Sequence, residues 1–107
     1  MFALMIALAL AGGNPTDNSA RAHMTACFKG SIEKADAAKI TPDSFAGFAK
    51  QSCAGEITSF RSEVIAYDIK VGWARKKAEL DADEQVGDYL ADWVDRYREK
   101  GSITATK

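Results

Sequence analysis

Two cysteines placed symmetrically about a break in the chain constrain this fold more than any other feature. Residue 40 lies midway between Cys27 and Cys53, and it begins the segment Ile40-Thr41-Pro42-Asp43-Ser44. Positions equidistant from the turn of an antiparallel helical hairpin lie at the same height, so we expect a Cys27–Cys53 disulfide. Closing a loop of this size stabilises a fold by about 3–4 kcal/mol. The alternative is two buried free thiols in a cytosolic protein.

The segment before the break has helical periodicity. Small and apolar residues recur at three- and four-residue steps, namely Ala20, Met24, Cys27, Ser31, Ala35 and Ala38. This spacing places them on one side of a helix. The sequence therefore predicts a first helix from Ser19 to Lys39.

A second helix is predicted to begin at the break. Thr41 suits an N-cap, and Pro42 suits the first helical position. Steps of four and three then continue through Cys53, Ile57, Phe60, Val64, Tyr67, Val71, Ala74 and Ala78. We call this set the heptad row, and its unbroken spacing predicts one long helix from Pro42 to about Ala78. A break near Gly55 or Gly72 is the alternative.

A third helix is predicted from the next acidic boundary. Asp81 and Glu84 have the spacing of a capping box, and Lys100-Gly101 is typical of a helix end. Val86, Leu90, Trp93 and Tyr97 form its apolar stripe. We therefore expect an all-α fold of three antiparallel helices with a long central helix, helices one and two being joined by the Cys27–Cys53 disulfide. Residues 102–107 are expected to form a frayed tail.

The N-terminus resembles a signal peptide. Met1–Ala11 is an uncharged apolar stretch that ends in the small-x-small pattern Ala9-Leu10-Ala11, and Ala20-Arg21-Ala22 is a weaker second cleavage pattern. The stretch is about half the length of a membrane span, so no stable membrane span is expected. We predict a signal peptide at 1–11, with an end at 22 as the alternative, and a single small helical domain at 12–107. Export and the disulfide together predict a periplasmic or secreted protein. A buried N-terminal helix would be the other interpretation.

Charge and composition argue against several classes of function. The net charge is −1, from 14 basic and 15 acidic residues, which does not favour nucleic-acid binding. His23 and Cys27 share a helix face, but a disulfide removes the thiolate that a metal would need. The sequence has one histidine, and both cysteines are expected to be bonded to each other. No catalytic residue, metal ligand or cofactor is therefore predicted, and an enzyme is not favoured.

Ile65, Ile69 and Trp73 point to a partner surface. At 100° per residue they lie on nearly the opposite side of helix two from Phe60 and Val64. We therefore expect them to contact a protein partner or a second copy of the chain. The predicted function is an exported, non-enzymatic binding or interaction protein that acts through an apolar helix surface. The alternative is a small periplasmic stress chaperone, a holdase, that exposes apolar surface on acidification.

Overall fold

The fold consists of helices joined by short turns. The computed structural model describes the backbone of residues 19–105 and the side chains of residues 20–100. Within that range the helices are α1 (Ser19–Ala37), α2 (Pro42–Ser52), α3 (Ala54–Lys70) and α4 (Arg75–Ala105). α1 packs against α2 and α3, while α4 returns along both of them. The all-α prediction is confirmed, but the described range holds four helices where three were predicted.

The turn between α1 and α2 forms where the sequence predicts it. Lys39 has a φ of 60°, and the Ile40 amide donates to the Ala35 carbonyl oxygen at 2.9 Å. This six-residue closure around a left-handed residue is a Schellman motif, with lysine in the position that usually holds glycine. Thr41 is the N-cap of α2, although its hydroxyl makes no capping hydrogen bond, and Pro42 occupies the first turn.

The predicted long central helix is wrong at Cys53. This residue has φ −114° and ψ 25°, which takes its backbone out of the helical region, and it both ends α2 and caps α3. Its amide still donates to the Ala49 carbonyl oxygen, and its own carbonyl accepts from the Ile57 amide. The interruption therefore lasts one residue. Because Cys53 is bonded to α1, the direction of α3 is set at the disulfide.

The central helix also ends earlier than predicted, at Lys70. Gly72 has a φ of 107°, its amide donates to the Ile69 carbonyl oxygen, and the Trp73 amide donates to that of Asp68. These are the two hydrogen bonds of a Schellman motif, in which glycine occupies the left-handed position without steric cost. The chain therefore breaks near both glycines named above as alternatives, at Cys53 two residues before Gly55 and at the turn that contains Gly72.

Both predicted ends of the last helix are wrong. α4 begins at Arg75, so Asp81 lies within the helix, where its Oδ2 accepts a hydrogen bond from Gln85 Nε2 at 3.1 Å. The capping box therefore does not form. At the other end the helix continues through Gly101 to Ala105. A single glycine lowers helix propensity by about 1 kcal/mol, which does not suffice to end a helix that is already propagating.

The core joins all four helices. Its buried members include Met24, Phe28, Phe45, Ala49, Phe60, Val86, Leu90 and Tyr97. The Cys27–Cys53 disulfide forms as predicted and lies against this core, with Cys53 fully buried. Phe45 of α2 stacks on Tyr97 of α4 with 4.7 Å between ring centroids, so α4 is fixed to α2.

The predicted signal peptide at Met1–Ala11 lies outside the described residues. The weaker cleavage pattern lies within α1, where Ala20 is buried in the core. In the described part of the chain, no helix has the length and apolar character needed to cross a membrane.

Candidate binding surface

One side of the α3–α4 pair is largely apolar, and no helix of the described residues 19–105 covers it. On α3, Ala54, Thr58, Arg61, Ile65 and Ile69 recur at steps of four and three, and on α4 the corresponding row is Leu80, Asp83, Gly87, Ala91 and Val94. Such spacing keeps each row on one side of its helix. We call these ten residues the open face. A groove of about 660 Å³ lies between the parts of the two rows that are distant from the α3–α4 turn, and Ala46 and Lys50 of α2 also line it.

The groove has apolar walls and a floor that allows close approach. Ile57, Val86 and Leu90 line it beside the open face, and Gly87 and Ala91 place little side chain above the backbone of α4. A Cβ at Gly87 would meet no other atom within 4 Å. Small residues of this kind let an incoming side chain or helix approach closely.

An ion pair crosses the middle of the open face. Arg61 Nε and Asp83 Oδ1 lie 2.7 Å apart, with Arg61 one-third exposed and Asp83 more exposed. An exposed pair of this kind contributes about 0–1 kcal/mol to stability. The ion pair divides the open face in two. Ile65, Ile69 and Leu80 lie on the side near the α3–α4 turn, and the groove residues lie on the other side.

The three residues predicted to bind a partner occupy the turn end of this pair of helices. Ile65 is half-buried, Ile69 is 41% exposed, and Trp73 is 38% exposed in the turn itself. Lys77 Nζ lies 5.0 Å from the centroid of the Trp73 ring. Ile65 and Ile69 belong to the open face, whereas Trp73 follows α3 and lies at the edge of that face.

Leu80 is the most exposed large apolar residue of the open face, at 62%, and was not predicted to belong to it. It falls at the predicted boundary between helices two and three, although its spacing of seven to Gly87 is that of one helix face. Conversely, the heptad row does not stay buried. Tyr67 and Val71 are both more than half exposed.

A second groove of about 390 Å³ lies on the α1 side of the α3–α4 pair. Phe60, Val64 and Tyr67 give it apolar walls, and Arg21 of α1 lies at its rim. Asp68 lines the groove and is only 6% exposed. Burial raises the pKa of the Asp68 carboxyl above its ordinary value, and the adjacent Asp81 carboxyl raises it further.

Comparison of the chain with family models, curated proteins and solved structures found no match.

The metal-facing side chains considered in the sequence analysis do not form a site in the described residues. His23 is exposed, Met24 is fully buried, and Cys27 is bonded to Cys53, so the face that suggested a metal does not bring ligands together. Among the described residues, no three histidine, cysteine, aspartate or glutamate side chains converge on a cation position. The buried carboxyl of Asp68 is paired with another carboxyl and lacks a neighbouring nucleophile in the same groove.

Proposed function

We propose that this chain is an exported, non-enzymatic binding protein that acts as a homodimer through the open face. The observation that carries the proposal is the uncovered apolar row along α3 and α4, which includes Ile65, Ile69 and Leu80. Burying each such side chain fully contributes about 1.5–3 kcal/mol, so leaving the row in water forgoes a sizeable stabilisation. An exposed apolar patch bordered by polar residues, here the Arg61–Asp83 pair, is typical of an interaction site.

A second copy fits the open face because the face has two complementary halves. Ile65, Ile69 and Leu80 project at the turn end, and the groove beside Leu90 and Val94 lies at the other end. A two-fold axis near the Arg61–Asp83 pair would place the projecting side chains of each copy over the groove of the other. The same axis would bring arginine and aspartate of opposite protomers together. Such reciprocal contacts define an isologous interface.

Export is supported by the disulfide and by the apolar N-terminal sequence. A disulfide within a core is the usual product of an oxidising compartment, which fits a periplasmic or secreted protein. Cleavage after Ala11 retains Ala20, which is part of the core, whereas cleavage after Ala22 would remove it. We therefore place the mature N-terminus at Gly12. The intact mass of the protein from the periplasm or medium tests this, and an uncleaved cytosolic protein would contradict export.

A constitutive binding role accounts for the exposed side chains better than an acid-triggered holdase does. Ile69, Trp73 and Leu80 are exposed in the folded chain, so no unfolding is needed to uncover them. Acidification also favours the fold at Asp68, whereas an acid-triggered holdase requires acid to loosen the fold. The pKa of Asp68 is raised in the fold. Lowering the pH from the folded-state pKa toward the unfolded-state pKa therefore stabilises the folded state relative to the unfolded chain.

The homodimer is tested by light-scattering mass on the mature protein. The natural chain is expected to show twice the monomer mass at high micromolar concentration, and Ile69→Glu is expected to give a folded monomer. Val71→Glu is the matched control, since Val71 lies near Ile69 and is also exposed but is outside the open face. This control should remain dimeric. A monomeric natural protein, or an Ile69→Glu variant that stays dimeric, would overturn the proposal.

A further inference from the structure

The Asp68 groove holds a buried oxygen atom that lacks a partner. Asp68 Oδ2 is inaccessible to water and accepts no hydrogen bond from any described residue. The neighbouring Asp81 already accepts a hydrogen bond from Gln85 through its own Oδ2. A buried polar atom without a partner is costly, about 1–3 kcal/mol and more when charged. Something other than the described side chains is therefore needed to satisfy Asp68.

We propose that this groove is a binding site for a small organic amine, with a primary ammonium group on an apolar stem. An ammonium group carries three donors and one positive charge, which matches the Asp68 carboxyl that lines the groove, and a turn of this side chain toward the groove would let Oδ2 accept from the ligand. The stem would lie along Phe60, Val64 and Tyr67, the apolar walls of the groove. A volume of about 390 Å³ is within the range of small-molecule sites.

The charges around the groove favour a ligand with a single positive charge. Asp81 faces Asp68 from α4, Glu63 lines the groove from α3, and Arg21 lines it from α1. The Arg21 guanidinium carbon lies 5.9 Å from the centroid of the Tyr89 ring. The positive charge of Arg21 therefore lies near α4 at one side of the groove. It would repel a second ammonium group entering from that side.

A proton is the competing way to satisfy Asp68. Burial and the adjacent Asp81 carboxyl raise the pKa of Asp68, so the fold favours the protonated carboxyl more than water does. An ammonium ligand would take the place of that proton, which passes to solvent, so ligand binding should lower the pKa of Asp68. Affinity should consequently increase as the pH rises through the folded-state pKa of the empty protein.

The probe for this site is 2-phenylethylammonium, with 2-phenylethanol as a neutral molecule of the same shape. Both are titrated into the mature protein at pH 7.5 while backbone amide resonances are followed by NMR. We expect the amine to shift resonances of α3 and α4 around the groove and to bind at least tenfold more tightly than the alcohol. Asp68→Asn should weaken amine binding at least tenfold, whereas Asp95→Asn, an exposed site on α4, should not change it.

A second measurement keeps the test independent of how the variants fold. The pKa of Asp68 in the natural protein, followed by carboxyl ¹³C NMR, should fall when the amine is present at saturation. Equal binding of amine and alcohol, absence of amine binding, or an unchanged pKa would overturn the proposal and leave a proton as the sole partner of Asp68. Because the groove lies on the side away from the open face, these outcomes do not depend on dimerisation.

Discussion

The Tyr97 hydroxyl donates a hydrogen bond to the backbone carbonyl oxygen of Ile40, with 2.5 Å between the two oxygens. Ile40 belongs to the turn between α1 and α2, so this bond joins the second half of α4 to the point about which the disulfide is symmetric. The Tyr97 ring also stacks on Phe45. Together these contacts hold α4 along α2. They therefore also fix the position of the five α4 residues that belong to the open face.

Loss of this hydrogen bond should measurably destabilise the fold. Tyr97→Phe keeps the ring and its stacking on Phe45 but leaves the Ile40 carbonyl oxygen without this donor. We expect the free energy of unfolding in urea to fall by about 1 kcal/mol. Tyr89→Phe is the control, because the Tyr89 ring contacts Phe60 through its edge and its hydroxyl makes no hydrogen bond with another described residue. Equal stabilities of the two variants would contradict a structural role for the Tyr97 hydroxyl.

Reduction of the Cys27–Cys53 disulfide should lower stability by about 3–4 kcal/mol, because it releases a constraint on the unfolded chain. The melting temperature measured with and without a strong reductant reports this effect. The double variant Cys27→Ser/Cys53→Ser should melt near the reduced protein and be insensitive to reductant. If reductant leaves the melting curve of the natural protein unaltered, the bond does not contribute to stability.

Asp68 should make stability depend on pH in an unusual direction. Its pKa is raised in the fold, so its contribution is fully present below the unfolded-state value of about 3.8 and is lost as the pH rises through the folded-state pKa. Asp68→Asn removes this dependence. The variant should therefore gain stability relative to the natural protein as the pH increases. Urea unfolding at several pH values measures the difference, and a difference that is constant with pH would contradict the shift.

The same pH series distinguishes a constitutive binder from an acid-triggered holdase. An apolar dye should bind the natural protein to a similar extent from neutral to mildly acidic pH, because the open face is already exposed. A sharp increase in dye binding on acidification, with the fold otherwise retained, would favour the holdase.

The disulfide and the turn at Ile40 were predictable because both depend on local sequence. Symmetric cysteines, a proline in the first turn and helical spacing are sufficient to identify the α1–α2 hairpin. The break at Cys53 was not predictable from spacing, since the apolar row continues through it without a change of phase. There the backbone leaves the helical region at a residue whose position is fixed by a bond to another helix.

The candidate sites were predictable to different extents. Ile65 and Ile69 were identifiable from their angular separation from Phe60 on a helix, which does not depend on where α3 ends. Leu80 and the Asp68–Asp81 pair were not identified, because each requires the start of α4 to be known. Because the turn at Gly72 follows α3 and α4 begins at Arg75, Leu80 lies on the open face and Asp81 lies beside Asp68.

The most direct test of the dimer through the open face is an isotope-filtered NMR experiment on a mixture of labelled and unlabelled mature protein. It detects nuclear Overhauser effects only between protons of different protomers. We expect such effects between the methyl groups of Ile69 on one protomer and those of Leu90 or Val94 on its partner. Intermolecular effects confined to residues of α1, or none at concentrations where the mass is that of a dimer, would contradict an interface at the open face.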